Sequence, residues 1–103
     1  MRYEVKISEE GIKDLKKIYE YIAIFLSQPQ AALNQLKRIE KGIMSLDIMP
    51  ERFKAFEREP WQSRGLRQMV IDNFIVFYIP DNQRALVTVI RVIYSGRNIE
   101  KVL

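Results

Sequence analysis

The sequence contains no cysteine and no histidine. Without cysteine there are no disulfides, no thiolate nucleophile and no Cys metal site. Without histidine the commonest general base is missing, and the usual ligands of a zinc or other transition-metal centre are gone as well. No cofactor and no bound metal are therefore expected. No stretch approaches the roughly eighteen uninterrupted apolar residues of a membrane span, and the N-terminus lacks the pattern of a signal peptide. A soluble, cytoplasmic protein with no membrane partner is the expectation.

What is present suits a globular fold. A length of 103 residues fits one domain covering 1–103. An apolar content of 48% supplies a core and argues against wholesale disorder. The net charge is +4, and the excess lies in the second half. Residues 1–50 carry eight Lys/Arg against seven Asp/Glu, and residues 51–103 carry nine against six. A mild excess suits an anionic partner, but many basic proteins share it.

Periodicity orders the chain. Tyr3, Val5 and Ile7 alternate with Arg2, Glu4 and Lys6, which predicts a short half-buried strand. Ser8 is placed to cap a helix whose first turn holds Glu9 and Glu10, where negative charge suits the helix dipole. Ile12, Leu15, Ile18, Tyr19, Ile22, Phe25 and Leu26 recur at three and four, so this helix should run to about residue 26 with the stripe as core. Pro29 sits near the first position of a second helix, whose stripe is Leu33, Leu36, Ile39, Ile43 and Leu46 and which Pro50 ends. The short connection makes the pair an antiparallel hairpin.

Residues 51–65 are polar and irregular. Leu66–Ile71, Phe74–Ile79 and Ala85–Tyr94 read as strands joined by turns at 72–73 and 80–84, an antiparallel meander. Residues 98–103 suit a terminal helical turn. The expected fold is α+β, β-α-α-β-β-β, with the helix hairpin packed on one face of a small antiparallel sheet. The open face would lie between the 51–65 loop and the C-terminal segment.

The chemistry concentrates near the last strand. Arg91 interrupts an apolar run, and a charge there is costly unless it reaches a partner or solvent. Tyr94 and Arg97 follow it. By strict alternation Arg91 shares a face with Val87 and Val89, while Tyr94 shares one with Thr88, Ile90 and Val92, so the two leave on opposite faces. Arg67 and Arg91 suit either donation to carbonyls and carboxylates of their own chain or contact with a target. Tyr94 fits a half-core position with its hydroxyl at the rim. Trp61 is expected to plug the loop onto the sheet, with stacking on a base as the rival role. Glu57 and Glu59 are expected to be solvated.

With this order of elements, the chain resembles the RelE/ParE superfamily of toxins from bacterial type II toxin–antitoxin modules. The matching pieces are Tyr3–Glu4–Val5 with Ser8, Asp14–Leu15 with Ile18 through Ile22, and Ile43 through Leu46 to Pro50–Glu51–Arg52. They continue with Gly65–Leu66–Arg67, Asn73–Phe74 through Val76–Phe77–Tyr78, and Ile90–Arg91–Val92 through Gly96–Arg97 to Leu103. The resemblance implies a growth inhibitor neutralised by a cognate antitoxin protein, of a kind associated with plasmid stabilisation. It holds two activities on one fold: RelE- and YoeB-like members cut ribosome-bound mRNA, and ParE-like members poison DNA gyrase.

If the chain is a nuclease, the resemblance assigns catalysis to Arg67, Arg91, Tyr94 and Arg97. Arg67 matches a basic position on the strand after the loop in RelE-like nucleases. Arg91 and Tyr94 resemble an arginine and the final tyrosine of YoeB, and Arg97 the C-terminal arginine of RelE. Other positions depart: Ile93 stands where YoeB has its histidine, Met69 where a second basic residue falls, Phe74–Ile75 near a mid-sheet arginine, and Leu103 where RelE has a tyrosine. Apolar side chains cannot stabilise an anion. Three readings stay open: a ParE-like gyrase poison, slightly favoured; a ribosome-dependent, metal-independent endoribonuclease; and a decayed toxin that only binds its antitoxin.

Overall fold

The computed structural model describes all residues, 1–103. Strand β1, Glu4–Ile7, leads into helix α1, Glu9–Glu20. The cap is the expected one: Ser8 Oγ accepts from the Gly11 N–H at 3.0 Å and donates to the Ile90 carbonyl at 2.9 Å, which pins the helix start to the sheet. The helix then widens into a π-helical turn over Tyr21–Phe25, and Ser27 turns left-handed at φ 54°. Helix α2 follows, Pro29–Met44, with Pro29 in its first turn. Two 3-10 turns, Ser45–Asp47 and Pro50–Arg52, carry the chain to a short strand β2, Lys54–Ala55. Strands β3 (Arg67–Ile71), β4 (Phe74–Asp81) and β5 (Leu86–Tyr94) come next, then one helical turn, α3, Ile99–Val102.

The sheet order is β1-β5-β4-β3-β2. The meander β3-β4-β5 is antiparallel, as its short turns require. The structure adds two things to the expected layout. β2 pairs antiparallel with β3, and β1 lies parallel beside β5, from Glu4 opposite Leu86 to Ile7 opposite Val89, so the sheet as a whole is mixed. Pro80 lies beyond the last β3 pair, where β4 has only β5 beside it and a missing N–H is tolerated.

The helix hairpin covers one face. Ile39, Ile43 and Leu46 pack there against Met69, Val76, Tyr78, Val87, Val89 and Val92, with Leu15 and Ile18 of α1 at the margin. Close approach at this face needs Gly42: a Cβ there would sit 2.2 Å from Ile71 Cδ1. The second face holds Leu66, Phe77 and Ile93. It is not open, which corrects the expectation, because Phe56 and Trp61 from the loop and Ile99, Val102 and Leu103 from the C-terminus pack onto it. The cause is simple: Phe77 and Ile93 are apolar on that face and need cover.

Two local irregularities shift side chains. Phe77 pairs with Arg91 but Tyr78 pairs with Val89, so Ile90 is an extra residue and β5 bulges. Before the bulge Val87 and Val89 face the helices; after it Val92 does. The π-helical turn acts likewise on α1. It adds a residue to the turn and rotates Ile24 and Phe25 outward, leaving Phe25 74% exposed. Ile12 is 56% exposed as well, so the α1 stripe is core only in part.

Candidate functional site

A groove of about 560 Å³ runs under the tip of the helix hairpin. One wall is α1 and the π-helical turn, through Ile18, Tyr21, Ile22 and Leu26. The other is the end of the sheet, through Phe74, Val92 and Tyr94, with Gln35 of α2 closing one side. Tyr94 keeps its ring at the rim: it meets Phe74 edge-on at 6.0 Å and lies against Gly96, where a Cβ would come within 2.4 Å of Cε2. Tyr21 also stacks, at 5.1 Å, on Phe25, which lies outside the groove. This exposed apolar tip was not anticipated, yet a signal exists. From Tyr21 through Leu36 the sequence has no charged residue, in a chain that is 29% charged.

The charged groups at the groove are Asp14, Lys17 and Arg97. Asp14 is fully engaged. Its Oδ2 accepts from Arg91 Nε at 2.7 Å and from the Val92 N–H at 2.9 Å, and its Oδ1 accepts from Arg91 Nη2 at 3.0 Å. The hydrogen bonds that Arg91 donates to Asp14 hold its guanidinium even more firmly in its charged form than usual. Lys17 and Arg97 make no ion pair.

The four residues singled out from sequence do not form one cluster. Tyr94 and Arg97 meet at the groove. Arg91 sits opposite Phe77 at the bulge, so it lies on the second face, against the alternation that placed it with Val87 and Val89. It still leaves opposite Tyr94, as expected, because Tyr94 pairs with Phe74 on the helix side. Its Nη1 donates to the Val102 carbonyl. Arg67 pairs with Tyr78, four residues of β4 from Phe74, or roughly 13 Å along the strand. Its Nη1 donates to the carbonyls of Phe53 at 2.7 Å and Glu51 at 3.1 Å, tying the 3-10 turn to the sheet.

The loop residues have structural partners. Trp61 packs onto the second-face cluster, as expected, with the Arg64 guanidinium 5.1 Å from its ring centre. Glu59 accepts from the backbone and hydroxyl of Ser63. Tyr78 is buried, and its hydroxyl donates to the Pro50 carbonyl at 2.6 Å. Burial pushes that phenol up to about 12. Asp72, in the β3–β4 turn, accepts from Arg38 Nε at 2.8 Å and Gln35 at 2.9 Å, and the Arg38 bond lowers its pKa.

Residues 5–99 match the family described as ParE toxin of type II toxin-antitoxin system, parDE. The chain belongs to this family of ParE toxins. No curated protein sequence matches it. Several solved structures share its fold. The chromosomal ParDE system of P. aeruginosa gives a TM-score of 0.73 at 18% identity, covering 90% of this chain and 96% of that one. The RelBE2 toxin–antitoxin complex of Mycobacterium tuberculosis gives 0.68 at 20% identity, covering 91% and 99%. The isolated RelE toxin of E. coli gives 0.63 at 14% identity, covering 98% and 99%. At these identities the neighbours establish a shared fold, and this ParE-family toxin carries it from end to end. No helix of the toxin is long and apolar enough to cross a membrane.

Proposed function

We propose that this toxin arrests growth by poisoning DNA gyrase through protein–protein contact, and that its cognate antitoxin silences it by seating an amphipathic segment in the groove under the helix hairpin. The disposition of the arginines carries the target. Cleaving RNA without histidine needs cations that converge on one phosphate and a group that moves a proton. Arg67 and Arg91 instead spend their donors on their own chain and leave the sheet on opposite faces. Met69 and Ile93, where nucleases of the superfamily carry basic or histidine side chains, are buried and apolar.

The groove supports the partner. Its floor is apolar, its one carboxylate is already paired, and its two free cations stand at the rim. That pattern fits a helix with an apolar face and an acidic flank. Two of the structural neighbours are toxin–antitoxin pairs by description, one ParDE and one RelBE2. The test is expression without the antitoxin. Gyrase-linked DNA breaks with intact mRNA support the reading. Cut mRNA overturns it in favour of a nuclease using Arg67, Arg91, Tyr94 and Arg97. No arrest at all leaves a chain that only binds its antitoxin.

A further inference from the structure

We propose that Arg91 couples the groove to the C-terminal turn, so that a segment seated over Asp14 on one side of the sheet clamps residues 98–103 onto the other. The coupling rests on the reading that an antitoxin segment fills the groove.

The geometry begins at a gap in the sheet. β1 stops at Ile7, opposite Val89, while β5 continues to Tyr94. Along that remaining edge a side chain from α1 replaces the missing strand. Asp14 takes the Val92 N–H at 2.9 Å, which a neighbouring strand would otherwise satisfy. The bulge at Ile90 then brings Arg91 to the same edge from the second face. Its guanidinium is shared across the sheet: Nε and Nη2 go to Asp14, and Nη1 goes to the Val102 carbonyl.

The far end of this bridge is weakly held. α3 is one turn, Ile99–Val102, too short to persist without tertiary contacts. It is anchored by partly buried Ile99, Val102 and Leu103, an exposed Arg58–Glu100 ion pair, and Arg91. The near end is open to change. Asp14 lines the groove, and its side chain is 10% exposed against 23% for Arg91. A segment lying over Asp14 excludes the remaining water, and the ion pair strengthens as the local dielectric falls. Arg91 is then fixed, its grip on Val102 firms, and the turn stays down over Phe77, Ile93 and Trp61. Filling the groove thereby closes a surface that the segment never touches. By linkage, the turn must favour groove binding in equal measure.

Reciprocity supplies the test. Antitoxin affinity is measured by calorimetry, with the purified cognate antitoxin, for the full chain and for a chain ending at Arg97. No deleted residue lines the groove. The deletion is expected to weaken binding about fivefold or more, and to cost less than twofold in an Asp14→Asn background. An unchanged affinity, or the same loss in both backgrounds, overturns the coupling. Hydrogen exchange on the undeleted toxin checks it independently: antitoxin should slow exchange at 99–103 in the parent and not in Asp14→Asn, and equal slowing in both overturns it. Tyr94→Glu separates the two claims. If it leaves antitoxin affinity intact, the groove is not the site and the coupling falls with that reading. If it weakens binding while the deletion does not, the coupling alone fails.

Discussion

Asp14 and Arg91, 77 residues apart in sequence, form a bidentate ion pair whose closest contact is 2.7 Å. Removing Asp14 leaves the Arg91 charge partly buried and strands the Val92 N–H. Asp14→Ala should cost about 2–3 kcal/mol, below the usual range for a fully buried pair because Arg91 keeps some solvent. Urea unfolding of the two proteins measures it, and a loss under about 0.5 kcal/mol would mean that the pair is solvated.

Tyr78 predicts alkaline sensitivity. Its folded pKa, about 12, lies above the unfolded value near 10. Its contribution is therefore complete below pH 10 and is lost as pH rises towards 12. A shift of this size amounts to about 2–3 kcal/mol across that window. Absorbance titration should show one tyrosine ionising near pH 12, and Tyr78→Phe should remove that step.

Tyr94 separates the two target readings. A gyrase poison has no use for its hydroxyl, which has no hydrogen-bond partner within the chain. Tyr94→Phe should then arrest growth like the parent, within about twofold in the dose required. A nuclease relying on that hydroxyl for proton transfer would lose about a hundredfold or more.

Lys17 and Arg97 should steer the antitoxin. Reversing both charges, Lys17→Glu with Arg97→Glu, is expected to slow association about tenfold at low salt and to flatten its salt dependence. Stopped-flow rates at two ionic strengths measure this, and parental rates at low salt would place the acidic flank elsewhere.

The local features of the fold were legible in the sequence. Ser8 showed its helix, Pro29 its restart, and Asp72–Asn73 the tight turn between β3 and β4. The long-range ones were not. Nothing in the alternation of Tyr3, Val5 and Ile7 tells that β1 will lie parallel to β5, because the pairing joins Glu4 to Leu86. The bulge at Ile90 is silent for the same reason: an apolar run reads alike in either register, and the flip shows only once Phe77 and Tyr78 choose partners. For the site, the cost of Arg91 in an apolar strand was plain, but its partner Asp14 looks like any polar position on α1. The π-helical turn hid the groove wall, since Ile22, Phe25 and Leu26 continue a regular stripe until the turn rotates them apart.

A toxin that poisons gyrase should act on gyrase and leave mRNA intact. The direct measurement gives purified toxin, free of antitoxin, to two reactions side by side: gyrase with supercoiled DNA, and ribosomes carrying a defined mRNA. Protein-linked DNA breaks should increase with toxin, and mRNA should stay full length at the same doses. mRNA cut within the ribosome, with gyrase turning over normally, would contradict it.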